Sequence, residues 1–187
     1  MPVQIGTKTH NFSDPTGLLS DCHRRIEMFL GTLKAVAAAI DRPASEETSR
    51  ALESALRYFG QAAPKHTADE EGSLFPRLRQ IQHAEIQSSF SQLEQLEEEH
   101  RWAAPLHAEV GQLGAEYLST GSLSDTEIAA FRCAVARLAS MYKQHINIED
   151  SVIFPVAARL LPQAEKLAIA EEMASRRGVK LVTQIDL

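Results

Sequence analysis

The chain has 187 residues, enough for one domain or two very small ones, with the composition of a globular protein. Lys and Arg total 19 against 25 Asp and Glu, a formal net charge of -6 that argues against a nucleic-acid or anionic-membrane surface as the main partner. The longest apolar run, Ala35–Ile40, is too short to span a bilayer. The segment Met1–Lys8 lacks the apolar stretch of a signal peptide. Cys22 and Cys133 are too few for a disulfide framework or a Cys-based zinc site. The expectation is a soluble, mildly acidic cytoplasmic domain.

Strand signals are missing and helix signals are abundant. Ser13-Asp14-Pro15 reads as a helix start, a capping side chain before a proline of the first turn. A helical pattern follows through Leu18, Leu19, Ile26, Leu30, Leu33, Val36 and Ile40, and Asp41-Arg42-Pro43 ends it. Ser45-Glu46-Glu47 starts a second helix, which passes Leu52, Leu56 and Phe59 to a kink at Pro64 and on to Leu74-Phe75-Pro76. A third is expected from about Ala84 to Leu118, with Pro105 inside it. Ser119–Ser122 is a loop, and Ser124-Asp125-Thr126-Glu127 forms a capping box for a fourth helix running towards Ile153-Phe154-Pro155. A short fifth helix spans Gln163 to about Arg177 and stops at Gly178, and the tail Val179–Leu187 is unassigned. The fold class is all-α, an up-down-up-down four-helix bundle over 14–160 with a C-terminal helix and tail over 161–187.

An internal repeat carries the chemistry. His66, Glu70, Glu71, Leu74, Phe75 and Pro76 recur at the same offsets as His145, Glu149, Asp150, Ile153, Phe154 and Pro155. Each copy follows a helix bearing a His-Arg pair, His23-Arg24 or His100-Arg101, so the chain is two related helical hairpins. His and Glu four apart share one helix face. Antiparallel packing would therefore gather four imidazoles and two carboxylates inside the bundle. Imidazole suits iron, zinc and copper, and six side chains are too many for one zinc. Two irons are the economical reading, each with two histidines and two carboxylate oxygens. A shared oxo or hydroxo group would make five ligands and leave one position free.

The spacing His-x-x-x-Glu is weak evidence alone, since His23 and Glu27 also show it, but the longer repeat with Phe-Pro at one offset twice is specific. On these residues the chain resembles the hemerythrin family in its bacterial form with the His-His-Glu cation-binding pattern, from about Asp14 to Val156. The resemblance implies that His23 and His100 are the single ligand histidines of the first and third helices. It further implies that His66 and His145 are those of the second and fourth, and that Glu70 and Glu149 bridge two iron ions. Oxygen-carrying members have a further histidine where this chain has Ala104. The four-His, two-Glu set instead resembles stress-linked bacterial members, including proteins of iron-centre repair. Those usually carry an amino-terminal cysteine-bearing domain, for which there is no room before Asp14.

The remaining chemistry-bearing residues have plainer readings. Glu27 reads as solvated or as an outer partner of the site rather than a seventh ligand. Glu71, Asp150 and the run Glu97-Glu98-Glu99 read as solvated charges, and His10 and His83 as exposed. His107, two turns beyond His100, is too far to share its metal. Tyr142 reads as a core tyrosine that could also donate a hydrogen bond near the metals. Cys22 reads as a buried thiol, and Phe75 and Phe154 as core packing. No phosphate-binding glycine loop, Gly-x-Ser-x-Gly, Cys-x-x-Cys or His-Glu-x-x-His occurs. The implied function is a non-haem di-iron protein binding or sensing dioxygen, nitric oxide or peroxide. The alternatives are an enzyme reducing nitric oxide or peroxide, a protein delivering iron to damaged centres, and an iron-dependent regulatory module.

Overall fold

Asp14, Ser45 and Ser124 cap helix starts where the sequence places them. The computed structural model describes residues 10–181. The amino-terminal segment read for a signal peptide and the end of the unassigned tail lie outside them. Asp14 caps α1 (Pro15–Ala39), its carboxylate accepting from the Gly17 N–H at 3.0 Å. Ser45 caps α2 (Glu46–Gln61), and the expected kink is a break at Ala62, with Pro64 in the first turn of α3 (Ala63–Asp69). A π-helical turn (Glu70–Leu74) leads into α4 (Phe75–Gln80).

The single helix expected over Ala84–Leu118 is two: α5 (Ala84–Gln87) and α6 (Phe90–Thr120). The hydroxyls of Ser88 and Ser89 both donate to the Glu85 carbonyl, 2.8 and 3.0 Å away, and so compete with the backbone bonds of a continuous helix. Ser124 and Glu127 make the expected capping box of α7 (Asp125–Ile148). A second π-helical turn (Glu149–Ile153) then leads to α8 (Phe154–Leu160). The last helix, α9 (Gln163–Arg176), ends before Gly178, whose φ of 67° is the left-handed conformation that favours glycine at such a stop.

Both π turns follow from one sequence feature. Pro76 and Pro155 have no N–H, and a proline ring inside an α-helix clashes with the carbonyl four residues back. In each repeat the preceding phenylalanine N–H reaches five residues back, Phe75 to the Glu70 carbonyl and Phe154 to that of Glu149. The widened turn starts at a glutamate of the repeat both times, a placement often associated with function.

In the bundle α1 packs on α2 and α7, and α6 packs on the same two, closing a square of four helices. Two apolar clusters fill it. One holds Ile26, Leu33, Leu52, Phe59, Leu106 and Phe131, and the other holds Leu19, Leu74, Phe75, Leu93, Phe154 and Met173. On the four-helix frame the histidines and glutamates of the repeat lie between these clusters, so a polar belt is sealed at both ends. The fifth sequence-predicted helix packs along α1, α3 and the first π turn through Ile169, Ala170, Met173 and Ala174. Among the described residues no helix is long and apolar enough to cross a membrane.

Candidate metal centre

The fold brings His23, His66, Glu70, His100, His145 and Glu149 into one cluster. Ligand atoms of His23, His66, Glu70 and Glu149 lie within 4.8 Å of one another, as do those of Glu70, His100, His145 and Glu149. Each group could hold a metal ion, and the two groups share both glutamates. Glu70 and Glu149 are 0% exposed, His23 and His145 1%, and His66 4%.

The donors converge, and apart from the Nε2 atoms of His100 and His145, which pair at 3.1 Å, their inward-facing atoms do not satisfy one another. His23 Nε2 lies 3.0 Å from a Glu149 oxygen and His66 Nε2 3.0 Å from a Glu70 oxygen. Even so, His23 Nε2, both His66 ring nitrogens and all four glutamate oxygens have no hydrogen bond. Among the described residues, His10 Nδ1 is the one other buried side-chain atom in that condition. Burying so many unpaired polar atoms is costly, and buried polar groups are normally paired. Their concentration between two apolar clusters fits cations as the missing partners.

Electrostatics point the same way. Burial, then the nearby Glu149 charge, pushes the Glu70 carboxyl well above the ordinary carboxylate range. Burial opposes charge on Glu149 too, but His145 and His23 outweigh it and hold that carboxyl below its usual range. Burial also opposes charge on His145, which Glu149 and Glu99 nevertheless raise to about 9. His23 is likewise raised by Asp150 and Glu149 against its burial. For His66 burial dominates and the pKa falls well below 6.5. Glu70, His23 and His145 thus hold their protons more tightly than the free side chains do. Ligands must shed protons to bind cations, so metal uptake is linked to proton release.

Three acidic residues read from sequence as solvated belong to the site. Asp150 Oδ1 lies 3.0 Å from His23 Nδ1, Glu71 Oε1 2.8 Å from His100 Nδ1, and Glu99 Oε2 2.8 Å from His145 Nδ1. Each carboxylate accepts from the outer ring nitrogen and leaves Nε2 to face the cluster. The sequence signal existed for two of them, an acid following the glutamate in both copies of the repeat. A one-dimensional helix-face argument turned them away from their own helix's ligands but missed that they meet a neighbouring helix. Glu99 sits in an acidic run that masks it.

Other side chains fall closer to expectation. Glu27 is exposed and joins neither ligand group. Cys22 is buried and its sulfur accepts from Arg25 Nη2 at 3.1 Å. Phe154 stacks on His23, ring centroids 5.2 Å apart, and Phe75 is fully buried. His107 stays out of the cluster and pairs with Tyr142, Nε2 to hydroxyl 2.9 Å. Both line a cavity of ≈ 310 Å³ that reaches His100 and is walled by Phe59, Ala63, Ala103 and Ala104. Burial lowers the His107 pKa to about 4, so its imidazole is neutral at pH 7.

The chain matches the Hemerythrin HHE cation binding domain over residues 14–157 and belongs to that family. It is also similar to an uncharacterized protein from Haemophilus influenzae, 25% identical over 180 residues that make up 96% of each chain. Membership agrees with the resemblance drawn from the repeat, and the six residues named there are the ones the fold gathers.

Proposed function

We propose that the protein is a non-haem di-iron protein that binds or senses a small molecule, namely dioxygen, nitric oxide or peroxide. His23 and His66 would hold one iron and His100 and His145 the other, with Glu70 and Glu149 available to both. The observation that carries this reading is the pair of four-donor groups sharing both glutamates. Imidazole and carboxylate donors suit iron, and hard oxygen-only sites suit magnesium or calcium. Ferrous ions held there would supply electrons to an incoming small molecule. Residues 14–160 form the metal-binding unit in the cytoplasm, and 161–187 form an appended helix and tail.

The chain's own residues define the rest. Phe154 and Phe75 close one end of the polar belt to water. The cavity beside His100 gives a small molecule an approach, with mostly apolar walls and a few polar groups, Thr67, His100 and the Tyr142–His107 pair. Pockets of this make-up suit small ligands. Two carboxylates for two metals place less negative charge on the irons than carboxylate-rich ferritin-like sites do, which favours reversible binding or simple redox cycling. The test is stopped-flow absorption spectroscopy of the anaerobically iron-loaded protein mixed with dioxygen, nitric oxide or hydrogen peroxide. A stable adduct is the expected result, and turnover of nitric oxide or peroxide marks an enzyme instead. No spectral change with any of the three contradicts the reading.

A further inference from the structure

The repeat lets the two halves of the site be compared position by position. His23 corresponds to His100, His66 to His145, Glu70 to Glu149 and Glu71 to Asp150. The acids that follow the glutamates act symmetrically, Asp150 on His23 and Glu71 on His100, each on the other half's lone histidine. The residue before that histidine breaks the symmetry: it is Glu99 in the second half and Cys22 in the first. Glu99 accepts from His145 Nδ1 at 2.8 Å. Cys22 brings no carboxylate and its sulfur is engaged by Arg25, while His66 Nδ1, buried, has no hydrogen bond. The His100–His145 pair thus has a carboxylate behind both rings, and the His23–His66 pair behind one.

A carboxylate on the outer nitrogen fixes the tautomer that directs Nε2 to a metal, holds the ring in place and raises its basicity. We propose that the two metal positions are inequivalent, the one between His100 and His145 filling first and emptying last, with Glu99 as the positioning residue that sets the order. This rests on the two-metal reading above and concerns affinity alone, not turnover.

The experiment is an anaerobic titration of the metal-free protein with ferrous iron against a chromophoric chelator of known affinity. The wild type should show two binding steps. Glu99→Gln should weaken the first step by about 10- to 100-fold and leave the second nearly unchanged, so that the steps converge. Glu71→Gln, acting on His100 of the same position, should move the same step. Asp150→Asn, acting on His23, should weaken the second step alone. A merely structural role would lower both steps together, so circular dichroism of each variant is recorded alongside. The inference is overturned if Glu99→Gln spares the first step or if Asp150→Asn weakens it as much as Glu99→Gln does. A wild type that binds fewer than two ions instead removes the two-metal reading beneath it.

Discussion

Opening the clasp between α9 and the first π turn is expected to cost the metal-free protein about 3–5 kcal/mol. Asp69 is 0% exposed and immediately precedes Glu70. Arg176 Nη1 lies 2.9 Å from one of its oxygens and Arg177 Nη2 2.5 Å from the other. Arg176 also donates to Ser73 in the π turn at 2.8 Å. Either arginine alone leaves the carboxylate one partner, so Arg176→Ala or Arg177→Ala should cost about 1.5–3 kcal/mol, the worth of a hydrogen bond to a charged group. The double variant leaves a buried carboxylate with neither arginine, and desolvation then works against the fold. For a domain of this size that corresponds to a fall in Tm of roughly 6–20 °C. Urea unfolding followed by circular dichroism and by Trp102 fluorescence measures it, and Asp69→Asn added to the double variant should restore part of the loss. A double variant losing less than about 1 kcal/mol would refute the claim that this pair offsets the burial of Asp69.

Other expectations follow from the cavity. The pKa of His107 is lowered from 6.5 to about 4 by burial, so the unfolded chain takes up its proton first as pH falls. Its contribution is intact above pH 6.5 and is lost progressively towards pH 4, by up to about 3 kcal/mol, so His107→Gln should flatten the stability curve in that window. Stability curves of wild type and variant that stay parallel from pH 7 to pH 4 would contradict this. Tyr142→Phe removes the hydroxyl 2.9 Å from His107 Nε2 and should destabilise by about 1–2 kcal/mol in urea unfolding, with iron content unchanged. Ala104→Phe, at the cavity wall, should keep the iron content and slow azide or nitric oxide binding at least about tenfold, equivalent to 1.4 kcal/mol of barrier. Unaltered stopped-flow rates would show that the ligand arrives by another path.

The four-helix frame and the six clustered residues were legible because the repeat states each of them twice. His66-x-x-x-Glu70 and His145-x-x-x-Glu149 impose the same face on two helices, and Phe-Pro fixes their register. The π turns were not legible from periodicity, although their cause, Pro76 and Pro155, was in view. A one-residue widening hardly disturbs an apolar pattern. The split at Ser88-Ser89 was missed because the apolar spacing carries through Ile86, Phe90 and Leu93 while two hydroxyls take the Glu85 carbonyl. The roles of Glu71, Glu99 and Asp150 depend on contacts between helices, which no single-helix projection contains. The clasp on Asp69 is hidden for the same reason, its partners lying 107 and 108 residues away.

The proposed di-iron site has Glu70 and Glu149 in common between its two irons. Its most direct test is Mössbauer spectroscopy with iron analysis of the anaerobically reconstituted wild type and of Glu149→Ala. Two irons per chain in the wild type, magnetically coupled once oxidised, and loss of one or both in the variant are expected, because removing a bridge leaves two like charges without their common anion. A variant that keeps two irons with an unchanged spectrum would contradict the account.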